Sequence, residues 1–149
     1  MQEGCVLCPR KCGVDRNIQR GACNAPYFPY VAKAALHMWE EPCISGKRGS
    51  GAIFFCGCNL KCVFCQNYDI SNGSVGKMYD AEGIAELMLR LQGKGAHNVN
   101  LVSPAPFVPV LADAIRAAKN RGLSIPVVYN TNSYETLEAL RMLDGLVDI

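Results

Sequence analysis

"FFCGCNLKCVFCQNYDIS", residues 54–71, places Cys56, Cys58, Cys62 and Cys65 within ten positions, directly after the apolar run Ala52-Ile53-Phe54-Phe55. From Cys58 onward the gaps are three residues, then two. Three thiolates from one short loop can hold three irons of a four-iron, four-sulfur cubane, leaving the fourth iron open to a substrate. A fourth thiolate would instead close the site, as in an electron carrier or a structural zinc centre. Other readings stand beside this one. Positions i, i+4 and i+7 share a helix face, which would make these residues small buried side chains, although Gly57 and Asn59 directly after a strand oppose a helix. Cys56 offers itself as a fourth ligand, and Cys5-x-x-Cys8 with Cys62-x-x-Cys65 has the form of a zinc ribbon.

The chain has 149 residues, half of them apolar, enough for the core of one ordinary domain. A formal charge of +2 gives no argument for nucleic acid or a membrane surface. No run approaches the ~18 apolar residues of a spanning helix, and MQEGCVLCPRK lacks the apolar stretch of a secretory signal. The nine cysteines, without a signal and grouped in two short-spaced sets, therefore point to metal or iron–sulfur ligation in a reduced cytoplasm rather than to disulfides.

Three zones are expected: a Cys-rich metal-binding segment over 1–25, an irregular connector over 26–50, and an alternation of strands and helices over 51–149. In the last zone Ala52–Phe55 reads as a strand. Ile84, Leu87, Met88 and Leu91 fall at helical spacing, with Asp80 as cap and Gly93 as stop. VNLV (99–102) is a second strand, ending at Ser103-Pro104. Val108, Leu111, Ala112 and Ile115 form one face of a second helix, with Gly122 beyond its end. Ile125–Tyr129 is a third strand, its proline suited to the strand start. Asn132 with Glu135 reads as the capping box of a third helix carrying Leu137, Leu140 and Leu143. Leu146–Ile149 then begins a fourth strand. Such alternation implies an α/β fold with a parallel sheet of right-handed βαβ units, whose functional groups gather at the carboxyl ends of the strands. The cysteine loop, Ser103-Pro104-Ala105 and Asn130-Thr131-Asn132 are thus expected on one edge. A chain stopping at Ile149, inside an apolar run, is expected to be a fragment of a longer protein.

In the first zone Cys5, Cys8, Cys12 and Cys23 are separated by two, three and ten residues. Four thiolates with one tight Cys-x-x-Cys pair suit a structural zinc or a second iron–sulfur cluster; scattered buried thiols are the plainer reading. Arg10, Lys11, Arg16 and Arg20 surround the set. No aromatic residues interleave with them, so they read as a solvated face or as charges offsetting thiolates, not as a nucleic-acid surface.

The cluster loop resembles that of the radical S-adenosylmethionine (SAM) enzymes, both in GCNLKCVFCQN and in the aromatic Phe64 before the last cysteine. The wider string WEEPCISGKRGSGAIFFCGCNLKCVFCQNYDIS, the leading CVLCPRKCGVDR…GAC, and the later NLVSP and VVYNTNSYE resemble the branch related to the pyruvate formate-lyase activating enzyme. That resemblance implies a 4Fe-4S cluster held by Cys58, Cys62 and Cys65, with the methionine amino and carboxylate groups of SAM on the open iron. It further implies reductive cleavage of SAM to a 5′-deoxyadenosyl radical, Phe64 near the adenine, and Ser103 and Pro104 at the methionine end. Asn130 and Thr131 would line the same pocket. In that branch the radical abstracts hydrogen from a glycine of a glycyl-radical enzyme, and a flavodoxin- or ferredoxin-type protein donates the electron. Where the branch carries Gly-Gly-Glu, this chain has Ser103-Pro104-Ala105-Pro106, so recognition of the amino group differs. The superfamily's partial barrel has six βα units; at ~30 residues per βαβ unit, residues 51–149 hold about three. A non-enzymatic zinc- or cluster-binding interaction module, or an electron carrier, is the alternative.

The remaining residues carry less. Cys56 occupies a place that is small and polar in the related branch and reads as a bystander thiol, and Cys43 as a buried one. His37 and Trp39 read as packing residues, His97 as surface, and Glu40 and Glu41 as lacking partners. Neither histidine has the context of a nucleophile triad. Gly73-Ser74-Val75-Gly76-Lys77 lacks the spacing and preceding strand of a phosphate loop.

Overall fold

The structure, a computed structural model, describes residues 4–73 and 75–149. Five strands form one sheet in the order β3-β1-β2-β4-β5. They are β1 (Tyr30–His37), β2 (Ser50–Phe55), β3 (Lys77–Met78), β4 (Val99–Val102) and β5 (Val127–Asn130). β2, β4 and β5 run parallel, with Gly51 opposite Val99 and Val99 opposite Val127. The crossovers are two 13-residue helices, α3 (Ala81–Gly93) and α4 (Val108–Asn120), which follow the short helices α1 (Pro42–Ser45) and α2 (Tyr68–Asn72).

The helical spacing seen in the sequence is the spacing that packs. Ile84, Leu87, Met88 and Leu91 of α3 and Val108, Leu111 and Ile115 of α4 are buried against Ile53, Phe55, Val99, Leu101 and Val127 of the parallel strands. Asp80 caps α3, its side chain accepting from the Gly83 N–H at 2.9 Å. Pro126 falls one residue before β5, where its carbonyl accepts from Val99 N–H.

The zone expected to be an irregular connector contains a strand. β1 pairs antiparallel with β2, from Val31 opposite Phe55 to His37 opposite Ser50, with a bulge between Val31 and Lys33. Its sequence, YVAKAALH, is alanine-rich and carries a lysine, which local preference would not assign to a strand; the partner strand supplies what local preference lacks. β3 pairs antiparallel with β1, so the sheet is mixed rather than wholly parallel. The approach to β3 requires glycine at position 76, where φ is +103° and a Cβ would lie 2.1 Å from the Val31 carbonyl oxygen. Of the rejected phosphate-loop residues 73–77, Ser74 lies outside the described residues.

Toward the end of the chain the expected third helix shrinks to α5 (Leu137–Arg141), and Thr136 rather than Asn132 caps it, accepting from Ala139 N–H. The reason is competition: Glu135 is held by the Tyr129 and Thr131 hydroxyls, and the Asn132 side chain is turned to the cysteine loop. Residues 146–149 form no assigned strand, yet Tyr129 N–H donates to the Ile149 carbonyl and Asp148 N–H to the Val127 carbonyl, along the free edge of β5. Two isolated expectations also change. Cys43 is exposed, and Trp39 is 89% exposed instead of packed. His37 does pack, its ring edge-on to Phe54 at 6.1 Å, and it gives Glu40 the partner the sequence did not reveal, at 3.8 Å. His97 is half-buried, joined to Arg48 through both ring nitrogens.

Candidate functional site

Parallel strands end together, so the loops after β2, β4 and β5 meet at one edge, and hydrogen bonds tie them. Asn132, after β5, donates from Nδ2 to Asn59 Oδ1 at 2.9 Å and to Cys58 Sγ at 3.4 Å. Asn59, only 2% exposed, donates in turn to the Tyr134 carbonyl at 2.7 Å. Ser103 N–H, after β4, reaches the Asn130 carbonyl at 3.2 Å. Each of these loops holds one non-glycine residue in the left-handed region: Lys61 at φ 57°, Ser103 at 57° and Ser133 at 60°. Such backbone is uncommon outside glycine and persists where surrounding contacts fix it.

The cysteine loop is shaped for display. Gly57, at φ +91°, leaves β2 so close to the Cys23 carbonyl that a Cβ would meet that oxygen at 2.9 Å. A turn closes between the Cys65 N–H and the Cys62 carbonyl. Cys58, Cys62 and Cys65 are half-buried free thiols, and between the last two Val63 is 94% and Phe64 87% exposed. Cys56 differs in kind. It is buried, its thiol donates to the Val75 carbonyl at 2.7 Å, and burial pushes its pKa up. Among the described residues, no three thiol, imidazole or carboxylate groups stand together at metal-holding distance. The donor chemistry nonetheless fits an iron–sulfur cluster: three uncrosslinked, solvent-reachable thiols on one loop, one of them receiving an amide N–H.

Of the other expected site residues, Pro104 is buried, Ser103 and Thr131 are half-buried and Asn130 is exposed. Thr131 gives its hydroxyl to Glu135 Oε1, which also accepts from Tyr129; Oε2 of the same carboxylate is buried without a partner. Burial, reinforced by the Glu135 charge and hydrogen bond, holds the Tyr129 phenol far above its usual range.

The N-terminal cysteine segment docks on this same edge. Cys58 N–H donates to the Cys23 carbonyl at 3.1 Å, Arg10 Nε to the Asn59 carbonyl at 2.7 Å, and Thr136 N–H to the Leu7 carbonyl at 3.0 Å. Cys5, Cys8 and Cys12 are half-buried and Cys23 is buried. Burial raises the Cys23 pKa, against a hydrogen bond from Ala25 and the Arg16 charge, while Cys5 and Cys8 add to the rise. Sequence reasoning missed Asn59 and Asn132 as supports of the loop. Their only signal was polar residues directly following apolar strands.

Comparison with known proteins agrees with this geometry. The sequence model of the radical SAM superfamily matches residues 52–148. An uncharacterised protein of Methanocaldococcus jannaschii is 35% identical over 154 residues, an alignment covering 99% of this chain and 44% of that protein. The chain therefore spans less than half the length of this relative. No solved structure matches it. The chain belongs to the radical SAM superfamily.

Proposed function

We propose that this superfamily member binds a 4Fe-4S cluster through Cys58, Cys62 and Cys65, with SAM beside it, and uses the resulting radical to abstract hydrogen from a glycine of a partner protein. The observation that carries the reading is the three-thiol loop at the carboxyl edge of β2, β4 and β5, tied by Asn132 to the loop after β5. When bound, such a cluster supplies one electron to the SAM sulfonium, yielding methionine and a 5′-deoxyadenosyl radical.

The chain's own residues hold and orient. Cys58, Cys62 and Cys65 act as thiolates. The Asn132 amide donates to the Cys58 sulfur, which stabilises its negative charge and fixes that end of the loop. Asn59 locks Asn132 in turn. Ser103 and Pro104 line the methionine end of SAM, and Asn130 and Thr131 lie one strand over, with Ser103 bonded across to Asn130. Phe64, exposed on the loop, offers a ring face to the adenine. Cys56 takes no part, its thiol proton being held by Val75. The electron comes from a flavodoxin- or ferredoxin-type donor, and the hydrogen from a glycyl-radical enzyme.

Two experiments test the two levels. Adding SAM to the anaerobically reconstituted, reduced protein should change the cluster's EPR spectrum; an unchanged spectrum rejects the open-iron site. Deuterium should then pass from a partner labelled at glycine Cα into 5′-deoxyadenosine. Cleavage of SAM without that transfer would reject the activating role and leave the radical chemistry standing.

A further inference from the structure

Asn59 follows Cys58 directly and is held from two sides. Asn132 Nδ2 donates to its Oδ1 at 2.9 Å, and its own Nδ2 donates to the Tyr134 carbonyl at 2.7 Å. Both of those partners lie in the loop after β5. The backbone carbonyl of Asn59 accepts from Arg10 Nε at 2.7 Å, a donor 49 residues away in the N-terminal segment. Arg10 reaches the other loop as well. Its guanidinium carbon lies 6.0 Å from the centre of the Tyr134 ring, close enough for a cation to be attracted to the ring face. The Tyr134 N–H in turn donates to Asn132 Oδ1 at 3.1 Å. One exposed side chain thus closes on both loops that meet at Cys58. Among the described residues, no carboxylate forms an ion pair with Arg10, so a carbonyl and a ring orient it.

The rest of the N-terminal segment grips the same root of the loop. A Cβ on Gly57 would lie 2.9 Å from the Cys23 carbonyl oxygen and 3.1 Å from the Ala25 Cβ. Cys58 N–H donates to the Cys23 carbonyl, and Asn24 Nδ2 to the Asn72 carbonyl at 2.8 Å, at the end of α2. The tip of the loop differs. Its turn closes on itself, from Cys65 N–H to the Cys62 carbonyl, and Val63 and Phe64 face solvent. Cys58 is anchored from outside the loop.

We propose that Arg10 is a positioning residue for the cysteine loop: it fixes the Cys58–Asn59 peptide, and with it the first of the three thiols, and it supplies a cation beside them. A guanidinium suits both tasks, because it donates along a fixed direction while lying flat on a ring, which an ammonium group does less well. The positioning stands on the geometry alone. Its consequence for a cluster rests on the reading that Cys58, Cys62 and Cys65 bind one.

Alkylation of the reduced, cluster-free chain with iodoacetamide tests the positioning. Tryptic cleavage after Lys61 puts Cys58 on one peptide, told apart from Cys56 by fragmentation, and Cys62 and Cys65 on another. In Arg10→Met the Cys58 rate is expected to rise about 10-fold, the effect of one lost charge-assisted hydrogen bond on a local opening. The Cys62 and Cys65 rates should stay as they were, and Arg10→Lys should fall between. Loss of positive charge alone acts the other way, by making the Cys58 thiolate scarcer. Equal acceleration of all three thiols, which a merely structural role would give, or a Cys58 rate unchanged or slowed, would overturn the proposal. Loading the unaltered chain with iron and sulfide tests the cluster reading separately: a chain that takes up no cluster rejects that reading and leaves the labelling result standing. In the loaded chain, Arg10→Met should lower the cluster's reduction potential and Arg10→Lys restore part of it, since net charge near a cluster sets its potential. An unaltered potential in Arg10→Met would overturn the role given to the cation.

Discussion

The two cysteine sets have spacings that mirror each other, Cys-x2-Cys-x3-Cys in the N-terminal segment and Cys-x3-Cys-x2-Cys in the loop after β2, and all six thiols are half-buried, but the N-terminal segment adds a buried one, Cys23. Cys58, Cys62 and Cys65 sit on a loop whose apolar residues, Val63 and Phe64, point to solvent. In the N-terminal set the fourth thiol, Cys23, is buried in the hydrophobic core, with the charge of the buried Arg16 acting on it. Three thiols on one displayed loop can leave an iron of a cubane open to a substrate, whereas the buried Cys23 packs in the core. Spacing alone thus leaves the two sets alike, and it is the surroundings that separate a displayed thiol from a packed one. The two sets also touch through the Cys23 carbonyl and Cys58 N–H.

The sharpest break in this comparison is Cys62→Ala. It should abolish the cluster of the displayed loop and all 5′-deoxyadenosine formation while leaving the fold in place, as read by iron content and far-UV circular dichroism on one sample. Next is Phe107→Ala. This ring is fully buried, lies under Arg16 and meets the Phe55 ring at a tilt, 5.8 Å between centroids, so its loss should cost about 3–5 kcal/mol in denaturant unfolding. Protease should then cut first within residues 4–25. Asn132→Ala removes the donor to Cys58 and leaves the buried Asn59 Oδ1 without its donor, at about 1–3 kcal/mol; the cluster should still form, with a shifted EPR signal or potential. Cys56→Ala loses the thiol's backbone hydrogen bonds with Val75 and Ala32, about 1 kcal/mol each, and should keep the full iron content. Should iron fall to background in that variant, the division between displayed and bystander thiols fails.

The smallest effect is a pH dependence. The folded-state pKa of Tyr129 lies above its unfolded value of about 10. Its contribution to stability is therefore complete below pH ~10 and declines as pH rises above that, because the unfolded phenol ionises first. Tyr129→Phe should flatten the alkaline decline in unfolding free energy; an unchanged slope would show that another group carries it.

The parallel half of the sheet was legible because its code is local: apolar residues at helical spacing in α3 and α4, short apolar strands between them, and a capping aspartate at Asp80. β1 was not, since an alanine-rich strand is fixed by its antiparallel partner rather than by its own preferences. The cap of α5 was misassigned because Glu135 has two suitors, and only the fold shows Tyr129 and Thr131 reaching it before the backbone does. At the site, the meeting of three loops followed from topology, but the asparagines joining them did not. Nor did the docking of residues 4–25 on that edge, which depends on single long-range bonds such as Arg10 to Asn59.

The central claim, an open three-thiolate site, is tested most directly by anaerobic reconstitution with iron and sulfide, reduction in the presence of SAM, and assay for 5′-deoxyadenosine. Formation of 5′-deoxyadenosine that vanishes when Cys58, Cys62 or Cys65 is replaced is the predicted result. A fully loaded, reduced cluster that leaves SAM intact and its own EPR spectrum unmoved would contradict it.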